Sequence, residues 1–559
     1  LFLQYPAVVL CALLLASCTG AGEADRSYTH LVRDLAAERS DAWDQIDAAF
    51  LRLPDFQLRL ERLAVLHKSV NDGSRADAAD AADAADAMLD LYYGDLRAHE
   101  LRHRNALAEG DADLARFHAA AGDALAQVVA DSGDGSETSP YAILSSPQAY
   151  AWLSRQGIEA VGALYETDDD APRLRLMTRT QRQNTRMLEE IRFDLTPTFI
   201  AASNLAAVMA GGERPGPSVV VAARAAQGDS AAQTAFAIDM WQQGPDSANS
   251  AVKWLQAASG SGNLVAREML GVIYGSLASA RTGDEARKLL DAAVDQFLLA
   301  VNQGSASAMY NLAQLYLSGH FGPENQPAGV ALLEQAAERD NLDAIVMLAR
   351  LHYNGQFVGE DRERAIELLV QASARGHADA QVFYARHLLN TDDGVGFDER
   401  AYSWLQEAAE EGESTEAMML LGTLHASGEH AERDPGLAVD WFKRGAESSS
   451  DPELINGVAW ILAVAEDREL RDPTAGLAIM NRLMTRNSAA AGNPAYLDTW
   501  AAAHAASGDF DSAARIQREA LALAEAEEAE SGEAPDYLPV LREHLQRFEA
   551  GDTISEDVP

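Results

Sequence analysis

The sequence predicts an all-α chain, a right-handed α-solenoid of helical hairpins preceded by an α-helical N-terminal region. Three observations carry this. A turn position recurs at Gly304, Asp340, Gly376 and Gly412, 36 residues apart each time. An alanine ahead of it recurs at Ala336, Ala372 and Ala408 with the same period. A loop glycine repeats from Gly319 to Gly355. One helical hairpin cannot bury both of its apolar sides, so a fixed period of this length marks units that stack on their neighbours. Stacking also suits the length, because 559 residues are too many for a single core.

The formal net charge is −42. Such a surface repels phosphate backbones, so no nucleic-acid partner is expected. The only cysteines, Cys11 and Cys18, lie in the first twenty residues and leave no disulfide framework for the body.

Residues 7–16, AVVLCALLLA, form an apolar run too short to span a bilayer. They fit the core of a signal peptide. Leu15-Ala16-Ser17-Cys18 resembles the bacterial lipobox, although no Lys or Arg precedes the run. The resemblance implies a lipoprotein signal at 1–17, a lipidated Cys18, and a linker over 18–25. Thr19 rather than Asp after the cysteine resembles the outer-membrane sorting pattern. The implied location is the cell envelope: an outer-membrane lipoprotein facing the periplasm, anchored by acyl chains alone.

The N-terminal region, 26–210, reads as helical. Val32, Leu35, Ala42, Ile46 and Ala49 suit one apolar face, and Pro54 breaks the chain. Phe56 to Val70 form a second helix, stopped by Asn71-Asp72-Gly73. The Ala/Asp tract from Ala76 to Ala87 carries too many aspartates for a core face and reads as an exposed lead into a helix at Met88. A loop over 131–140 follows, and Pro147 suits a helix start. Arg175, Arg179, Arg182 and Arg186, spaced 4, 3 and 4, fall on one face of an expected helix, with Met177, Asn184, Leu188 and Ile191 on another. That basic stripe suits either local pairing or docking on an acidic surface, including this chain's own repeats.

His99-Glu100-Leu101-Arg102-His103 matches H-E-x-x-H, which on a helix puts two imidazoles one turn apart beside a carboxylate. This makes His99, Glu100 and His103 candidate zinc ligands and base. Arg97, Arg102 and Arg104 would repel the metal, and Ala106 stands where the extended pattern needs Gly. A solvated face with a Glu100–Arg104 pair is the plainer reading. No metal or other cofactor is therefore expected. Ser250-Ala251-Val252-Lys253 matches S-x-x-K without any K-T-G, and Ser250 suits a helix cap. No phosphate-binding loop, nucleophile elbow or paired C-x-x-C occurs.

Residues 211–217, GGERPGP, form a linker. Beyond it AMYNLAQLYLSGHFGPENQPAGVALLEQAAERDN, AIVMLARLHYNGQFVGEDRERAIELLVQASARGHAD and AMMLLGTLHASGEHAERDPGLAVDWFKRGAESS resemble Sel-like repeats, a branch of the tetratricopeptide family. The resemblance spans 218–450. It places Ala313, Ala349, Ala385 and Gly422 where helices cross closely, and Leu312, Leu348 and Leu421 in the adjacent core. Gly319, Gly355 and Gly428 serve the hairpin loop, which departs from the pattern at Asn390-Thr391-Asp392. A β-lactam-binding branch carries a disulfide in each repeat; this chain has no cysteine there, so that activity is not implied.

The resemblance further implies a groove lined by first helices that holds a protein or peptide. The residues after the close-contact positions, Gln314, Arg350, Arg386 and Thr423, should face it, followed one turn on by Ser318, Asn354, Asn390 and Ser427. Arg350 and Arg386 would hold a carboxylate or pair locally. Residues 451–528 read as tetratricopeptide-like hairpins, and 529–559 as a capping helix and loose tail. The expected function is a non-catalytic envelope adaptor. The alternative is a zinc hydrolase using residues 99–103, with the repeats holding substrate.

Overall fold

A polar cap and a left-handed turn cut each repeat into its helices. Ser305 Oγ accepts from Ala308 N, Asn341 Oδ1 from Ala344 N, and Ser414 Oγ from Ala417 N. These short side chains satisfy amides that the helix itself leaves unpaired. The chain turns ahead of each cap at Gly304 (φ 89°), Asp340 (φ 60°) and Gly376 (φ 79°). At the fourth turn Glu413 (φ 48°) is left-handed rather than Gly412. The first helices accordingly begin at Ala306, Leu342, Ala378 and Thr415, the last one residue late.

The computed structural model describes residues 20–72, 78–168, 173–182, 187–210, 214–390, 397–487 and 489–558. The expected leader at 1–17, Cys18, Gly73, Asn184, Arg186, Thr391 and Asp392 lie outside them. None of the helices among the described residues is long and apolar enough to cross a membrane. The chain divides into two compact units, 1–339 and 340–559.

In the first unit, helices Gly20–Ala36, Ile46–Phe50, Phe56–Asp72, Ala78–Leu91, Leu96–Glu109 and Ala112–Asp131 come first. Four strands follow: β1 (Tyr141–Ala142), β2 (Ile158–Asp168), β3 (Arg173–Arg182) and β4 (Leu188–Asp194), with helix Ser146–Arg155 between β1 and β2 and helix Thr196–Ala210 after β4. The sheet order is β1-β4-β3-β2, with β1 parallel to β4 and the other pairs antiparallel. Paired helices then run from Pro217–Ala226 to Gln326–Ala337.

The α-solenoid expectation holds, and the N-terminal region is helical over most of its length, but the sheet within it was not foreseen. Arg175, Arg179 and Arg182 lie on β3, not on a helix. Leu174, Leu176, Thr178 and Thr180 alternate with Arg175 and Arg179 and are all buried, while Arg182 ends the strand in the register of the buried set, so a period of two overrides the 4-3-4 spacing and divides the stripe. Two other expectations fail here. Residues 20–25, the described part of the expected linker over 18–25, are the start of a helix. The described part of the Ala/Asp tract is helix from Ala78, with Ala85 and Met88 fully buried, because Ala favours helix strongly enough to carry the intervening aspartates on the outer face.

Strand β2 is bound to the beginnings of the nearby repeat helices. Asn263 caps helix Leu264–Ser279 through Val265 N and also reads an extended backbone. Its Oδ1 accepts from Ala163 N (3.2 Å) and its Nδ2 donates to Ala163 O (2.7 Å). Gln303 Nε2 donates to Val161 O at a bulge between Ala160 and Gly162. A Cβ at Gly162 would stand 2.9 Å from Leu264 Cβ, so glycine is what lets the strand approach. Tyr165 Oη donates to Asp229, the cap of helix Ser230–Gln242, and burial pushes the phenol up to about 12. Arg179 pairs with Glu190 at 2.9 Å and draws the carboxyl of Glu268 on helix Leu264–Ser279 downward against the stronger upward push of burial. The stripe thus pairs locally and also faces one acid of the repeats.

In the second unit, hairpins run from Leu342–Asn354 and Arg362–Ser373, through Ala378–Asn390, Glu399–Glu410, Thr415–Ser427 and Pro435–Ser448, to Pro452–Val464, Pro473–Arg486, Pro494–Ala506 and Phe510–Ser531. Gly422 makes the close crossing that its position predicts: a Cβ there would stand 2.5 Å from the Phe442 ring. Helix Leu538–Ala550 caps the stack with Leu538, Leu541 and Phe548 buried. From this helix His544 Nδ1 lies 2.8 Å from Asp498 Oδ1, and Gln517 Nε2 donates to the same oxygen. The tail is not loose as far as it is described. Glu466 N donates to Glu556 O, Glu556 N donates to Val464 O, and Ile554 is buried.

Candidate partner-binding site

Ala349 and Ala385 are fully buried where helices cross, so the residues after them point outward. Those residues, Arg350 and Arg386, are both exposed. With Asn354 and Asn390 one turn on, they line one cleft of about 530 Å³. The structure therefore brings together four of the eight expected groove residues. Thr423 Oγ1 instead donates to Met419 O, and Ser427 Oγ to Leu424 O, both within their own helix. Gln314 and Ser318 belong to the first unit. Both are exposed, and Ser318 Oγ donates to Leu315 O.

The arginines have internal counter-ions. Arg350 Nη2 lies 3.6 Å from Asp379 Oδ2, and Arg386 Nη1 contacts Glu416. Both acids sit in the first turn of the next repeat's first helix, where the helix dipole favours a negative charge. All four side chains are more than half exposed, so each pair contributes at most about 1 kcal/mol. A guest carboxylate would have to displace Asp379 or Glu416. A guest carrying both signs of charge can exchange partners with the two pairs without leaving any ion alone.

The cleft also has an aromatic floor that the sequence reading missed. The Tyr353 ring lies 5.2 Å from Phe383, inclined at 65°, and 5.6 Å from His387, nearly perpendicular to it. Tyr353 Oη and His387 Nδ1 are 3.2 Å apart, and the Arg362 guanidinium sits 5.3 Å over the Tyr353 ring. Helical spacing could have found them: Tyr353 follows Arg350 by three residues and Phe383 precedes Arg386 by three. Half-buried rings beside exposed ions are suited to hold an apolar side chain.

The H-E-x-x-H segment does lie on a helix, Leu96–Glu109, capped by Asp95. His99 is fully buried. Its Nε2–H donates to Tyr93 O (2.9 Å), so its Nδ1 lone pair accepts from His118 Nδ1–H (2.9 Å). His103 Nδ1–H donates to Ala115 O (2.8 Å). Burial lowers the pKa of His99, and burial together with His99, Arg102 and His103 pushes His118 down to about 4. Glu100 lies among arginines: Arg97 at 3.2 Å, Arg155 at 3.7 Å and Arg104 at 4.0 Å. Both nitrogens of His99 are committed, so it offers no lone pair to a metal. Among the described residues no three His, Cys, Asp or Glu side chains are grouped to hold one.

A family model described as Sel1 repeat matches residues 306–341, 342–377, 378–413 and 415–450. The chain therefore carries four Sel1 repeats; residues 218–305 lie outside the match, although their helices pair in the same way. A Sel1 repeat protein from Oxalobacter formigenes is similar at 23% identity, covering 39% of this chain and 86% of that one, with TM-score 0.34. A protective antigen present in uropathogenic Escherichia coli strains, displaying an SLR fold, is similar at 16% identity, covering 89% and 99%, with TM-score 0.34. Yeast Tom70 is similar at 12% identity, covering 95% of each chain, with TM-score 0.28. No curated protein matches. Sel1 repeats commonly serve as scaffolds for protein–protein contacts.

Proposed function

We propose that this carrier of Sel1 repeats is a non-catalytic adaptor of the bacterial cell envelope, whose repeats hold a protein or peptide partner. The observation that carries it is the cleft between successive first helices, with Tyr353 and Phe383 at its base and the pairs Arg350–Asp379 and Arg386–Glu416 along its rim. This is the layout of a recognition surface: rings supply contact area, and half-exposed ions select orientation. Cleavage chemistry has less support, since the pair His99 and His103 is bound into the helix packing. The anchor is proposed from the sequence alone, from the run at 7–16 and from Cys18.

Two experiments test the parts separately. Protein immobilised through its C-terminus is challenged with envelope extract, and captured proteins are compared for wild type, Arg350→Glu/Arg386→Glu and Tyr353→Ala/Phe383→Ala. Loss of the same partner in both variants is expected; unchanged capture by both would remove the cleft from the account. For the anchor, cells are fed an alkyne-bearing palmitate. Label on the wild type that vanishes in Cys18→Ala is expected, and an unlabelled wild type would end the lipoprotein reading.

A further inference from the structure

The H-E-x-x-H segment lies beside a cleft that the adaptor reading does not use. Helices Leu96–Glu109, Ala112–Asp131 and Ser146–Arg155 enclose about 330 Å³, lined by Arg97, Glu100, His103, Arg104, His118 and Arg155 among others. The chain carries −42 charges, yet three guanidiniums converge here on one carboxylate, and a positive charge is left over even with Asp123 counted. Only the Arg97 contact with Glu100 is within hydrogen-bond distance. Arg97 and Arg155 are three-quarters buried, so little solvent screens them. Arg155 also touches Asp123, but that acid is 74% exposed and lies outside the cleft lining. Gly122 lets the Arg155 guanidinium lie close over its helix: a Cβ there would stand 3.3 Å from Nη1.

The imidazoles add an acceptor. His118 gives its Nδ1–H to His99, so its neutral ring has the Nε2 lone pair left over. The low pKa of His118 keeps it neutral at pH 7. A second cleft of about 480 Å³ shares the walls Arg97 and Ser154 and adds Lys68 and Tyr150. It has room for whatever carries the anion.

We propose that this cleft binds a phosphate group, either free or as the exposed monoester of a larger molecule. A phosphate offers several oxygens to the Arg97, Arg104 and Arg155 forks, and its singly protonated form has a P–OH to give to an Nε2 lone pair. Glu100 is then a positioning residue that keeps the guanidiniums in place while the site is empty. Sulfate has the same shape but no proton to donate at neutral pH, so it should bind more weakly.

The test uses the full chain at pH 7 and low salt. Titration calorimetry with inorganic phosphate should show one site per chain, with sulfate weaker. Arg97→Gln and Arg155→Gln should each weaken binding by about tenfold or more, as losing one charged hydrogen bond does. Arg104→Gln removes a largely exposed side chain and serves as the variant least able to disturb folding; it should weaken binding while leaving Tm unchanged in the absence of phosphate. Vesicles of phosphatidylcholine with or without phosphatidic acid separate the sources: binding only to the acid-bearing vesicles identifies a lipid headgroup, and binding to free phosphate alone identifies a soluble ligand. No heat and no shift in Tm with millimolar phosphate or with either vesicle would overturn the proposal. So would phosphate binding that all three variants retain unchanged.

Discussion

The repeat helices before Arg339 and those after it start from the same chemistry and end in different surroundings. Asn263 and Asn341 both cap a first helix. In the first unit Asn263 also holds both backbone groups of Ala163 on β2, and the position two residues on, Val265, is buried. In the second unit Asn341 bonds its own helix, and the corresponding positions are Asp343, Asp379 and Glu416, each with a side chain more than half exposed. A repeat start is apolar where the chain's own strand covers it and acidic where it faces water. The repeat itself is permissive, and its surroundings choose the surface.

Overpacking should break this comparison most sharply. Gly162→Val would push a side chain into Leu264, and Gly422→Val would push one into the Phe442 ring. Each should destabilise its own unit by about 3 kcal/mol, the upper part of the range for inserting atoms into a packed core. Denaturant melts followed with a probe in each unit should show the loss confined to the unit mutated. Equal losses in both would mean that the units do not unfold separately.

Asn263→Ala and Asn341→Ala sharpen the comparison, since the residue is the same and only the surroundings differ. Removing Asn263 orphans a buried amide and carbonyl of β2, with a cost of about 2–3 kcal/mol. Removing Asn341 deletes a cap, with a cost of about 1 kcal/mol. Urea titrations of the two variants measure the difference, and equal costs would undo the argument that β2 is what sets Asn263 apart.

Acid should also act unevenly. His118 titrates near 4 when folded and near 6.5 otherwise, so between those values the unfolded chain binds more protons and stability falls as pH falls. From pH 7 to pH 5 the first unit should lose about 2 kcal/mol through this residue. His99, also lowered by burial, acts in the same direction. Melts of wild type against His118→Gln across this window check it, and a slope unchanged in the variant would refute the assignment. The smallest effect should come from Arg350→Ala and Arg386→Ala, which break exposed pairs and should shift stability by less than about 1 kcal/mol while weakening partner capture.

Sequence alone determined the hairpin stack. Period, loop glycines and the small crossing residues Ala349, Ala385 and Gly422 are local requirements that each repeat restates, so they are legible wherever the spacing is read. It also put Arg350 and Arg386 on an outward face, because their place follows from the crossing residue before them. The tertiary structure alone decided three things. It made β3 a strand, since Leu174, Leu176, Thr178 and Thr180 needed a core that only packing supplies, while the arginines between them also satisfied a helical spacing. It set Tyr353 and Phe383 as neighbours, a contact between repeats that neither helix declares by itself. It turned H-E-x-x-H from a metal pattern into a packed histidine pair beside gathered arginines, because His118 and Arg155 arrive from other helices. Periodicity is written along the chain; charge and ring clusters are written across it, and only folding brings their members together.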